Sequence, residues 1–440
     1  MRFSTLDRLP VEPGRVVEFT PARSTLAAAD RAAPSPVPPS FNQRFHLETA
    51  RRQGPGHWLA CAFDLPGPVD VEALRSAFVR WVRRHETLRS GFRAGERFVV
   101  APEDFDLVAA DPVPAPDPRA LLRERIGAVC DPLSWPSSLF TVVLHARGGT
   151  VFCAFDHCDA DGYSLALAVH ELRELYRGAE LPPVGSFVDY CAGEQASEVP
   201  PDRRAAATAR WSEFLTACGG TSPAFPLALG VTPGQRPPQR MRCQQVLDAR
   251  GAAAFERECR AAGGSVFAGV LAALAGAVHR LGGGEQVRVC APLHTRNEPR
   301  WEHAIGWFTT VAPLELKVHS GFADTVRDAR AAFREALAYA DVPVPVALSG
   351  VDFRRDRDDV FMLSYIDYRR FPGAEHHVPA AAYHLSSVTT ADDAQFWVSR
   401  TDEGLFLRAR HPATAVADRT IESFADAFAE VLTSAVAVAA

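Results

Sequence analysis

Apolar positions along the chain follow two periods. WLACAFDL (58–65) is a near-continuous apolar run of strand length. In VDVEALRSAFVRWVRRHETLR (69–89), Val71, Leu74, Phe78, Val82 and Leu88 keep the spacing of one helix face. Two further apolar runs, 139–145 and 151–155, flank ARGGT, a turn signal that predicts a hairpin. YSLALAVHELRELY (163–176) predicts a helix, with Leu165, Val169, Leu172 and Tyr176 aligned. Another is predicted over 203–218, between Pro-punctuated stretches at 181–202 and 221–240. The second half repeats the alternation, with strands such as QVRVCAPL, WFTTVAPLELKV and LFLRARH set among helices such as TIESFADAFAEVLTSA. Residues 1–40 are rich in Pro, Ala and Arg, end in PSPVPPS, and predict an extended arm outside the core. Strands mixed with helices in two halves predict an α/β protein with two cores, which 440 residues can support.

Composition narrows the chemistry. A net charge of −6 and no long basic stripe argue against a general nucleic-acid binder. The longest apolar stretch, 265–278, is too short to span a bilayer and predicts a buried helix, so no membrane is expected as a partner. The N-terminus lacks the apolar core of a secretion signal. Nine cysteines without a C-x-x-C pair point to reduced thiols in a cytoplasm. The one lysine, Lys317, leaves Schiff-base chemistry and a phosphate-loop lysine almost without a candidate. No G-x-S-x-G, H-E-x-x-H or G-x-G-x-x-G is present.

One segment carries candidate chemistry. FDHCDADGY (155–163) places a histidine, carboxylates and a glycine between a strand and a helix. As a calcium loop it fails, because the first ligand position would be His157 and the twelfth Ala168. No other metal site is expected. As a plain polar turn it is coherent, with Asp161 near the helix N-cap and Gly162 easing the bend. As a catalytic edge, His157 at a strand end can accept a proton from an amine or hydroxyl nucleophile. Asp161 can then hold the loop by pairing with an arginine, and Gly162 allows close backbone approach. No serine or cysteine nucleophile is needed, which suits direct acyl transfer between two bound substrates.

DHCDADG (156–162) resembles the H-H-x-x-x-D-G signature of nonribosomal peptide synthetase condensation domains, within the chloramphenicol acetyltransferase-like superfamily; Asp156 stands in place of the first histidine. RHETLRSGF (84–92), SFVDYCAGEQ (186–195), RWSEFL (210–215), APLHTRNEP (291–299), AIGWFTTVAPLEL (304–316) and YADVPVP (339–345) are similar to further motifs of that family, in the same order, over residues 41–440. The resemblance implies two acetyltransferase-like α/β sandwich subdomains, 41–198 and 199–440, set as a V around a central tunnel that holds the histidine. It implies His157 as the residue that deprotonates or orients the nucleophile. Asp161 becomes a structural acid paired with Arg296, and Trp307 and Thr310 tunnel-wall positions. Asp156 is a further candidate for the lining, although strand alternation directs it to the opposite face. His85 and Glu86 read as structural, and EHHVPAAAYH (375–384) reads as a loop.

The implied activity is amide or ester formation by a free-standing enzyme. The donor is a thioester on the phosphopantetheine arm of an acyl or peptidyl carrier protein acting in trans. The acceptor is a small molecule, and no cofactor is permanently bound. RWVRR (80–84) is a candidate face for an acidic carrier helix. Two alternatives stand beside this: transfer from an acyl-coenzyme A, and a catalytically silent recruitment module on the same fold.

Overall fold

The structure, a computed structural model, describes residues 1–437 apart from 55 and 197. Among them are twelve α-helices and three β-sheets, a mixed α/β fold. The chain divides into two compact units. The first comprises Met1–Ser197, Arg296–Phe308 and Arg370–Ser387; the second comprises Glu198–Thr295, Thr309–Arg369 and Val388–Ala440. Two excursions of the later chain thus belong to the first unit, where the sequence reading drew one continuous border.

The first unit is built on an eight-stranded sheet. Its strand order is Arg2–Ser4, Tyr383–Ser386, Trp58–Pro66, Gly148–Asp156, Ser138–His145, Gly14–Pro21, Leu107–Ala109, with Val113–Ala115 also paired to Gly14–Pro21. The hairpin signal at ARGGT joins Ser138–His145 to Gly148–Asp156 in antiparallel register. Every residue of Gly148–Asp156 is buried, because both faces of this central strand are covered. That explains an apolar run without alternation. On one face Phe152 and Ala154 pack with Leu122 and Ile126 of the helix Pro118–Val129. On the other, Phe155 and Phe140 meet Trp81 of the helix Val71–Arg84 at ring distances near 6 Å.

The expected arm at 1–40 is corrected. Gly14–Pro21 lies inside the sheet, hydrogen-bonded to Ser138–His145 on one side and to two short strands on the other. Val16, Val17 and Phe19 are buried, and their enclosure outweighs the proline and alanine content around them. The loop assigned to 375–384 is also corrected at its end, since Tyr383 and His384 enter the strand Tyr383–Ser386.

The second unit has a six-stranded sheet, in the order Gln239–Asp248, Gly404–Pro412, Gln395–Thr401, Met362–Asp367, Gln286–His294, Thr309–Lys317. The stretch expected to be a buried helix is Val266–Arg280, capped by the Ser265 side chain and buried at ten of its positions. It packs in one core with the helix Ala415–Ala437 and with Phe396, Val398, Leu405 and Leu407 of the sheet. Each such fully buried side chain contributes about 1.5–3 kcal/mol. Lys317 ends its strand on the exposed side. Among the described residues no single helix is long and apolar enough to cross a membrane, and none of the nine cysteines forms a disulfide.

Candidate active site

The strand Gly148–Asp156 delivers the loop 157–161, and the helix Gly162–Tyr176 follows at once. Three backbone bonds fix the turn: Asp156 N to Ser137 O (2.8 Å), His157 N to His57 O (2.9 Å) and Asp159 N to Asp156 O (3.1 Å). Asp161 is the N-cap, accepting the Ser164 N–H at 2.8 Å, and Gly162 is the first helical residue. Short polar caps of this kind end a strand and start a helix within a few residues.

His157 remains half-buried. Its Nδ1 lies 2.9 Å from the Ala160 carbonyl, which can only accept, so Nδ1 carries the proton and Nε2 the lone pair. The ring stacks on Trp307 at 4.1 Å and 25°. Burial first, and the charge of His46 second, push the imidazole below its ordinary range, against the opposing pull of Asp156 and Asp161. The result is a neutral, oriented imidazole near pH 7.

Asp161 and Arg296 form a buried bidentate pair: Nη1 to Oδ2 is 2.7 Å and Nη2 to Oδ1 is 3.1 Å. The guanidinium also donates to the Ala304 carbonyl at 3.1 Å and lies between the rings of Tyr163 and Phe308, 4.4 Å from each. The Phe308 N–H donates to Asp161 at 3.1 Å. Gly306 N donates to the Ser164 hydroxyl at 3.1 Å. Burial alone would raise the Asp161 carboxyl; the charge and hydrogen bonds of Arg296, with those from Ser164, outweigh it and hold the group below its usual range. These bonds tie the loop to the segment Arg296–Phe308.

The remaining sequence candidates fall elsewhere. Asp156 is completely buried, so it lines no passage; its Oδ1 takes hydrogen bonds from His46 Nε2 (2.7 Å) and Cys158 N (2.9 Å). Strand alternation turned it from the His157 side, and the helix Phe41–Gln53 supplied the partner. Thr310 belongs to the second unit, half-buried on its strand across from Leu293. His85 is buried against Glu171 at 2.6 Å, and Trp81 and Arg84 donate to the same carboxylate. In RWVRR, Arg83 is exposed and Arg80 and Arg84 are half-buried. Arg80 and Arg83 donate to the carbonyls of Ala179 and Phe105, and Arg84 to Pro182 as well as Glu171.

His46 is the residue missed at this site. Its helix has a legible start, the capping box Ser40–Gln43. Nothing in the spacing joins it to a loop 110 residues away.

A model of the condensation domain matches residues 136–438. The chain belongs to this family. The acyltransferase PapA3 of Mycobacterium tuberculosis is 27% identical over 78% of this chain and 76% of its own. The trehalose-2-sulfate acyltransferase PapA2 of the same species is 29% identical over 73% of this chain and 72% of its own. The solved structure of a PapA2 acyl transferase superposes with a TM-score of 0.89 at 25% identity, covering 99% of this chain and all of that one. The first condensation domain of the calcium-dependent antibiotic synthetase shares the fold, with a TM-score of 0.69 at 20% identity over 90% of this chain and 96% of that domain. As a member of the condensation-domain family with such relatives, this protein is an acyltransferase, and the silent-module alternative is set aside.

Proposed function

We propose that the protein transfers an acyl group from a phosphopantetheine-arm thioester, borne by a carrier protein, to a hydroxyl of a small-molecule acceptor, with His157 as general base. The carrying observation is the His157 ring itself: Nδ1–H spent on Ala160, Nε2 basic, and the plane fixed by Trp307. Nε2 takes the hydroxyl proton as the oxygen attacks the thioester carbonyl. A C–O bond forms, the C–S bond breaks, and the proton passes from the imidazolium to the departing sulfur. Asp161 and Arg296 act at one remove, holding the loop that aims the ring. The names of the PapA2 and PapA1 relatives, which describe acylation of sulfated trehalose, favour a hydroxyl acceptor and an ester product over an amide. Those names give no donor. Coenzyme A carries the same arm, so it is the competing bearer of the acyl group.

The test is a reconstituted reaction offering acyl-coenzyme A or acyl-loaded carrier protein with sugar-hydroxyl or amine acceptors, followed by mass spectrometry. Ester from the loaded carrier is expected, with a loss of about 10²–10⁴-fold in His157→Ala. Product from acyl-coenzyme A alone would reassign the donor. Amide would reassign the acceptor. Undiminished turnover by His157→Ala would overturn the base.

A further inference from the structure

The motif departure at Asp156 has a structural counterpart in His46. Asp156 is completely buried, and its Oδ2 has no partner among the described residues. A buried carboxylate costs several kcal/mol unless it is paired and hydrogen-bonded. His46, itself 6% exposed, brings Nε2 to Oδ1 at 2.7 Å. The same helix sends Gln43 Nε2 to the Cys158 carbonyl at 2.9 Å, so two of its side chains grip the loop on either side of His157. The His46 ring also meets Trp307 edge-on at 5.7 Å, and the Trp307 face carries His157 at 4.1 Å. A chain of contact therefore runs from Asp156 through His46 and Trp307 to His157.

We infer that His46, anchored by Asp156, is a positioning residue of the acyl-transfer site that holds Trp307 against the His157 ring and sets the charge beside it. The inference rests on the reading of His157 as the base. It assigns to a residue outside the signature the work that a histidine in the first motif position is not present to do. Around His46 stand Asp156 from the central strand, His57 with its ring 6.0 Å away, Trp307, and His157. Behind Asp156 lies Asp159, buried and carried up to about 7, hydrogen-bonded to Ser137 and within the influence of Arg97. Charge on His46 disfavours a second charge on His157, which keeps Nε2 available to lower pH.

Two variants separate the parts of the claim. His46→Gln keeps a side-chain N–H for Asp156 and removes the ionisable ring. Its kcat at pH 8 should fall less than that of His46→Ala, because the bond to Asp156 is kept although the ring edge against Trp307 is lost, while the acid limb of kcat/KM moves up by roughly half to one pH unit. His46→Ala removes the donor and the edge against Trp307. Its kcat should fall about tenfold with KM within about twofold, as for a misaimed base rather than a lost binding contact. Melting temperatures of both, and His157→Ala alongside, complete the set. An unmoved acid limb in folded His46→Gln, with His157→Ala inactive, overturns the role of His46 and leaves the base intact. Full activity in His157→Ala overturns the base and this inference together. If His46→Ala does not fold, the acid limb of His46→Gln alone decides.

Discussion

His157 and His411, one in each unit, both stand at the end of a strand just before an α-helix. His157 follows Gly148–Asp156 and precedes Gly162–Tyr176; His411 lies at the end of Gly404–Pro412 and precedes Ala415–Ala437. In both, Nδ1 is tied to a nearby carbonyl, Ala160 at 2.9 Å and Pro412 at 3.1 Å. Burial is the first cause lowering both imidazoles. Here the likeness ends. His411 is 4% exposed and the following helix is capped by Thr414, whose hydroxyl accepts from Ala417 N at 2.9 Å. His157 is half-exposed, stacked on an indole, and followed by a cap that is also one arm of a buried ion pair. A strand-end imidazole with its pKa pushed down is therefore common scaffolding. Access, an aromatic plane and a charged clasp are what set His157, the proposed base, apart from His411.

The sharpest way to break this comparison is to remove each ring in turn. His157→Ala should cost about 10²–10⁴-fold in kcat/KM, whereas His411→Ala should change it less than about threefold, read as ester formation in the reconstituted reaction. The wild-type profile should also show neutral His157 as the working form. Activity is full above the ordinary histidine value of 6.5 and falls as pH drops through the lowered folded value. A midpoint above 6.5 would contradict the burial argument.

Next in size is the clasp. Arg296→Ala leaves Asp161 buried without its partner and should lower stability by about 3–5 kcal/mol in a denaturant titration. Because the Asp161 carboxyl is depressed in the folded state, its contribution is present above the unfolded value near 3.8 and is lost as pH falls through the folded value. The deficit of Arg296→Ala relative to wild type should therefore shrink in acid. Trp307→Leu removes the plane against His157 and should lower kcat about tenfold with KM little changed. The smallest effect is expected at the cap of the second unit, where Thr414→Ala should cost about 1 kcal/mol in thermal unfolding and nothing in turnover.

Much of this contrast was written locally. The run at 151–155, the turn ARGGT and the periodic face of 163–176 became the hairpin and helix that carry His157, because those signals depend on neighbours a few residues apart. VVEF at 16–19 was not read as a strand, because the surrounding prolines and alanines disguised its buried place in the sheet. Other parts had no local trace. Tyr383–Ser386 reads as part of a loop until Trp58–Pro66 and Arg2–Ser4 are seen beside it. Arg296 could be set against Asp161 only through the order of family motifs, since 135 residues separate them. His46 carried no signal of its partner, because a side chain crossing from a helix to a strand leaves no period in the sequence.

The near absence of lysine gains a meaning once the protein is an acyltransferase. Lys317, exposed at a strand end, is the one side-chain primary amine in the chain. Guanidinium groups stay protonated in water and make poor nucleophiles toward activated esters. Toward the proposed thioester donor, such a surface leaves one side-chain amine to be acylated by accident, Lys317, so stable amide self-acylation of side chains during turnover should be confined to that position.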